Sequence, residues 1–547
     1  MASLNPLSSN LGLRRAKHLL RRATFNFSKT QLDALSNMTA VDAVNSLAIS
    51  ATNPLSEPYD PQPNGAPDGF WTSSPLDPKL FNGQGRKRAL VTAWWWYNAI
   101  NQVTLKHKLA FFLHTSFTIG KDSGAALSTH FFDHIRLLDF YAFGNLKTLA
   151  NKMTLDNCML DYLDNNNNVA NNPNENYARE FLELFTILKG PQIGSGDYTN
   201  YTEIDVQQAA KVFSGFRQQN NRSVIDADTN LPSGYANKNQ HSSVNKTFSS
   251  AFNNQIIIGK NTETGMFEEL STFIDMVFAQ PETAKAYCRK LYKFYVKSEW
   301  NATVETDIIT PLSQQLIANN YDILPVVKTL LASEHFYDAD DADATNNIIG
   351  AIVKSPLQIL NEVCTLFNVP IPNPSTDAAH YYSNFFYSFI HNTYFKGAGM
   401  DFFNPDSVAG YPAHYQEPDF DRLWFSSNTL ISRYKLIESL IIGKNTIINN
   451  SNIYTKLDTV LFVKNNVSNP SNPNDLVTEI ANLMYPESID TDRTNFFKTF
   501  LVDVGFPDYY WTNTWNDYIT TNDKTTVKNR LDALTIAMVN AAEFQLM

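Results

Sequence analysis

The chain has 547 residues, of which 43% are hydrophobic and 13% aromatic, and its formal net charge is −11. This composition supports a large packed core, excludes a disordered chain, and fits about two to four domains on the usual size prior. The acidic balance argues against nucleic-acid binding, which needs a basic footprint.

In chain order, Leu11 to Ala23 reads as a basic amphipathic helix. Its arginines Arg14, Arg15, Arg21 and Arg22 are followed by no hydrophobic stretch, so no secretory signal is legible. Ser28 offers a cap for a helix over Lys29 to Leu35. Residues 52 to 86 are rich in Pro, Gly and Asn and read as a long loop. Leu90 to Ser116, with Trp94, Trp95 and Trp96 in a row, predicts a buried helix pair. No apolar run reaches membrane-spanning length, so no transmembrane segment is expected.

The richest stretch is Asn171 to Leu188, predicted as one helix with Asn172 as N-cap, Pro173 at the first position and Glu175 as the capping-box acid. Tyr177, Phe181, Leu184 and Leu188 recur at helical spacing and should face a core. Glu175, Arg179 and Glu183 fall four apart, and Glu180 and Glu183 three apart, so their charges are neighbours. The plain reading is a solvated face whose ion pairs contribute ~0.2–0.5 kcal/mol each. The sharper reading is a buried cluster clamped by Arg179, in which one Glu has a raised pKa and acts as general acid or base. From the helix alone the structural reading is preferred.

Thr202 to Asp205 begins the next helix, with Val206, Ala209, Ala210 and Phe213 on its apolar face. Arg217 to Phe252 turns polar and is the best candidate for strands or irregular structure. Helices resume over Met266–Ala279, Glu282–Val296 and Asp307–Ser333. The acidic run Asp338 to Asn347 reads as a solvated turn, since it lacks the ordered ligand spacing of a calcium loop. A Pro/Gly segment spans Gly397 to Pro418, and a last helical region ends at Met547. The expected fold is mainly α, a large multi-helix protein with long irregular loops and at most a few short strands. Its expected division is a helical body over 1–440, with irregular insertions near 52–86, 217–252 and 397–418, and a C-terminal helical region over 441–547 packed on it.

Phosphate-loop, dinucleotide and nucleophile-elbow motifs are missing from the sequence, so no cofactor is called for. Cys158, Cys288 and Cys364 are isolated and read as buried inert thiols. His130 and His134, with Asp133 beside the second, loosely match an inverted zincin pattern; a polar helix face is preferred and no metal is assigned. Aromatic clusters at Tyr381 to Tyr387 and Tyr509 to Trp515 could stack on sugars but read better as core.

Several segments together resemble one bacterial family, domain of unknown function 1800. They include His18 to Phe25, Met159 to Asn165, the central Pro173 to Thr186, Tyr201 to Val206, Phe213 to Phe216, Lys354 to Pro356 and Phe403 to Pro412. The similarity extends over nearly the whole chain. Relatives often show His-Asn-His-Phe where this chain has His114-Thr115-Ser116-Phe117, and a His-Asp pair where it has Phe252 to Gln255. The resemblance implies a helical fold and, for many relatives, an exported protein encoded beside a sulfatase-like partner; it implies no established activity. Two functions are therefore carried forward. In the first, the protein is a binding or assembly partner of a second protein, working at the cell exterior. In the second, Glu175, Arg179, Glu180, Glu183 and His114 perform acid–base hydrolysis of a polysaccharide, with Asn174, Asn176, Asp164 and Asn165 contacting the substrate. The missing histidines tilt the reading toward binding.

Overall fold

Amphipathic stretches separated by Asn, Gly and Pro breaks fold, in a computed structural model, into twenty-three α-helices among the described residues. Those residues are 2–61, 69–72, 83–124, 127–341, 348–448 and 451–547. Strands occur as four antiparallel pairs, three of them only two residues per strand, so the fold is mainly α. Among the described residues no helix is long and apolar enough to cross a membrane.

The tryptophan run lies on the Gln84–Ile100 helix, which with the Leu105–Ser116 helix forms the expected buried pair. Trp95 packs edge-on to Phe25 and Phe403, at ring distances of 5.7 and 5.1 Å. Trp96 donates its indole N–H to Asn361 Oδ1 at 2.7 Å, which gives a fully buried polar edge its partner. Buried apolar side chains from Leu7 to Phe544 join in one continuous core. Tyr381, Tyr382, Phe385 and Phe386 belong to it, on a seventeen-residue π-helix Ala379–Phe395. Trp511 and Trp515 are also buried, whereas Tyr509 and Tyr510 stand exposed.

The first helix, Gly12–Ala23, departs from an ordinary amphipathic helix because its basic side is buried too. Arg21 donates to Glu362 at 2.9 and 2.5 Å and to the Met484 carbonyl at 2.5 Å. Arg22 donates to the carbonyls of Ile348 and Met547 at 3.1 and 2.6 Å. Lys17 reaches the Asn482 carbonyl at 2.6 Å, and Lys354 also pairs with Glu362 at 2.7 Å. The helix thus ties the chain's start to residues 482–484 and to its last residue.

Two elements differ from their sequence pattern. The helix expected over Asp307–Ser333 is interrupted, because Asn320 and Tyr321 take positive φ values of 49° and 67° between the Thr310–Ala318 and Ile323–Ala332 helices. Of the 52–86 loop, residues 62–68 and 73–82 lie outside the described set, as do residues 342–347 of the acidic run. Within that run Asp338 accepts the Ile349 N–H and Asp340 accepts from His335 Nδ1 at 2.6 Å.

Candidate functional site

The charged signature starts later than its pattern suggests. The helix runs over Asn176–Glu180 and continues as a π-turn over Phe181–Phe185. Asn172 instead makes a bridge with Val169, and Asn174 caps the start by accepting the Asn176 N–H at 2.9 Å. The wider turn rotates the apolar face. Tyr177, Phe181 and Phe185 are buried, while Leu184 is only partly so and Leu188 lies beyond the helix end with a φ of 63°.

Arg179 clamps two carboxylates. Its fork meets Glu203 at 2.9 and 2.6 Å and reaches Glu175 at 3.2 Å. Glu203, in the first turn of the Glu203–Phe213 helix, is thus the main partner. Hydrogen bonding from Arg179 pulls the Glu203 carboxyl below its ordinary range. Burial and the neighbouring Glu203 push Glu175 up. All three side chains remain about a third exposed, at 34%, 36% and 35% for Arg179, Glu175 and Glu203, so the clamp is present but only half withdrawn from water.

Glu180 stands apart from that clamp. Burial, reinforced by Glu183, raises its carboxyl to about 7, and among the described residues no hydrogen bond satisfies it. Glu183 is held by Lys189 and accepts from the buried Tyr201 hydroxyl at 3.3 Å. Glu180, with its raised carboxyl, thus sits beside a second carboxyl side chain, a pairing that general acid–base chemistry uses.

The amide-rich candidates form a loop lock. Asn165 is buried; it donates to the Phe213 carbonyl at 3.3 Å and accepts from Asn168 at 3.0 Å. Asn174 donates to Asp164 Oδ2 at 2.7 Å, and Asn176 to the Leu163 carbonyl at 3.2 Å. Arg217 gathers the carbonyls of Asn166, Asn168 and Phe216 at 2.6–3.0 Å. Most of these groups already spend their hydrogen bonds on the chain, which leaves them little to offer a ligand.

His114 is not joined to the glutamates. Its ring packs against Phe403 at 4.7 Å, neither nitrogen has a hydrogen-bond partner among the described residues, and burial holds it neutral. The metal-like trio is split among three partners. His130 Nδ1 meets Gln218 at 3.0 Å, Asp133 takes a bidentate Arg222 at 2.8 and 2.7 Å, and His134 Nδ1 meets Asp156 at 3.0 Å. Among the described residues no group of three ligand-type side chains is placed to hold a metal ion. The three cysteines are free and buried.

Above that trio lies a cavity of about 500 Å³, lined by Asp133, Asp156, Asn151, Lys152 and residues of the polar segment from Val224 to Asn237. Tyr235 and Phe267 sit at it 37% and 42% exposed. Lys152 pairs with Asp226 and Asp228 at 2.5 and 2.6 Å and holds the segment against the Leu146–Met153 helix. Asn151 and Glu263 also line the cavity, and among the described residues no hydrogen bond occupies their side chains. The insertion was legible as irregular structure, but nothing in its sequence showed that it would close over Asp133.

No curated protein and no solved structure matches this chain. A family model described as "Protein of unknown function (DUF1800)" matches residues 18–546, nearly its whole length. The chain therefore belongs to the DUF1800 family.

Proposed function

We propose that this chain is a binding protein whose ligand is a carbohydrate or similar polyol, seated in the cavity walled by the 217–252 segment. The observation that carries this reading is the cavity itself. Its volume of about 500 Å³ falls in the range of small-molecule sites, ~300–1,000 Å³. It combines exposed aromatic faces at Tyr235 and Phe267 with unspent polar groups at Asn151 and Glu263, and sugars present just those two surfaces, apolar ring faces and hydroxyls. The half-exposed Glu175–Arg179–Glu203 edge suits a contact surface better than a closed reaction centre. The second protein expected as a partner, and the exported location, rest on the family resemblance; co-purification tests the partner.

The test is calorimetric titration with a panel of oligosaccharides. Tyr235→Ala should weaken a bound saccharide at least tenfold and leave the melting temperature within a degree or two, because the ring is already partly in water. Failure of every saccharide to bind, or an unchanged affinity in Tyr235→Ala, overturns the reading. One observation favours hydrolysis instead, at a site other than that cavity, whose lining does not include Glu180: Glu180 is held at about 7, as a general acid needs. If a bound saccharide is cleaved, and Glu180→Gln abolishes cleavage while binding persists, the protein is a hydrolase.

A further inference from the structure

A second cavity lies elsewhere, between the Leu105–Ser116 helix, the end of the π-turn, the Pro281–Tyr295 helix and the Pro/Gly segment that carries His414. Its volume is about 190 Å³, and a side chamber of about 50 Å³ shares Lys293, Phe294 and His414 with it. We propose that this cavity binds a small organic anion, a carboxylate or phosphate monoester carrying a short apolar body.

Four observations converge on that ligand. First, two amines line the main chamber, Lys290 and Lys293, and among the described residues no carboxylate does. Lys290 spends one N–H on the Leu184 carbonyl at 2.5 Å. Lys293 makes no hydrogen bond or ion pair among the described residues; its ammonium lies over the Phe420 and Trp300 rings, at 4.4 and 5.4 Å, and Glu417 acts on it only through space. Second, Ser116 and His414 line the same cavity, and among the described residues Ser116 Oγ and His414 Nε2 are buried with no hydrogen-bond partner. Ser116 is only 3% exposed, so its hydroxyl lacks bulk water as a substitute. Third, the other walls include Phe112, Leu188, Phe294 and Val408, which would pack an apolar body. Fourth, a volume of about 190 Å³ suits an acid of a few carbons and lies below the ~300–1,000 Å³ of ordinary small-molecule sites.

The electrostatics agree with the geometry. Burial, with Lys293 beside it, lowers Lys290 to about 7, and burial also lowers Lys293. In the side chamber, burial lowers Lys108 to about 7 and His414 to about 4. Among the described residues none of these amines has a carboxylate in ion-pair contact, and an entering anion supplies one. Asp421, which lines the side chamber, is occupied by the Val353 N–H at 2.6 Å and by Ser298.

The experiment is calorimetric titration of the full chain at pH 6.5 with acetate, butyrate, hexanoate, inorganic phosphate and phenyl phosphate. At least one probe should bind saturably, and the preferred apolar length identifies the body. Lys293→Met should weaken it at least tenfold, while Lys29→Met, which alters a remote exposed lysine, should not. Ala409→Leu fills the chamber without touching an amine and should also abolish binding, so it carries the test if Lys293→Met fails to fold. Absence of saturable binding by any probe, or unchanged affinity in both cavity variants, overturns the proposal. Selection of the carboxylates or of the phosphates decides between the two headgroups.

Discussion

Two arginine–carboxylate pairs show how burial, not distance, sets what an ion pair is worth. Arg179 meets Glu203 at 2.6 Å and Arg21 meets Glu362 at 2.5 Å, yet the first pair is about a third exposed and the second essentially sealed, at 1% and 0%. Water solvates Arg179 when its partner is removed, so Glu203→Gln should cost no more than ~1 kcal/mol. Glu362→Gln leaves Arg21 and Lys354 with weakened compensation inside the core and should cost ~3–5 kcal/mol. Urea denaturation of both variants checks the ranking, and equal losses would refute it. The sequence offered no means of ranking them. It marked the 175–183 edge as the notable cluster, whereas the far more deeply buried pair joins Arg21 to Glu362, 341 residues away, and the two meet only in the fold.

At the scale of elements, local rules were legible where a short segment satisfies itself and failed where a distant group intervened. Ser28 caps the Lys29–Ser36 helix as its spacing predicts, and Thr202 with Asp205 forms a full capping box. Asn172 does not cap, because Asn168 Oδ1 captures the Asn174 N–H at 3.0 Å and delays the helix. The π-turn after Glu180 then exchanges Leu184 for Phe185 in the core, a change that a 3.6-residue period cannot foresee. Asp156 shows one residue serving two elements. Its Oδ1 caps the Asn157–Tyr162 helix at the Met159 N–H, 2.8 Å away, and meets the buried His134 at 3.0 Å. Asp156→Ala removes a cap worth ~0.5–2 kcal/mol and strands a buried imidazole nitrogen at ~1–3 kcal/mol. A loss of roughly 2–4 kcal/mol on chemical denaturation is expected from those two terms. A loss under about 1 kcal/mol would mean that neither contact matters.

The whole molecule is mainly α, as its periodicity implied, and its single core encloses an unusual number of neutral histidines. Burial holds His107, His130 and His414 near 4 and His18 and His114 well below their ordinary value. In the unfolded chain each takes a proton near ~6.5. As pH falls from about 6.5 toward 4, the unfolded state therefore gains protons that the native state refuses, and stability declines. Lys108 and Lys290, lowered to about 7, add the same sign at the upper edge of that window. Glu180 and Asp133 oppose it: burial raises them to about 7 and about 6, so the native state takes up their protons first. Glu175 and Asp338, also raised by burial, oppose it more weakly; five deeply buried imidazoles outweigh these four carboxyls, of which Glu175 and Glu180 are partly exposed and so discounted. Each unbalanced proton contributes about 1.4 kcal/mol per pH unit. The urea midpoint should accordingly be lower at pH 5 than at pH 7. His107→Gln, which removes one buried imidazole whose nitrogens have no hydrogen-bond partner among the described residues, should flatten that slope by up to one proton. A midpoint that rises on acidification would show that the carboxyls, not the histidines, govern the fold's response to pH.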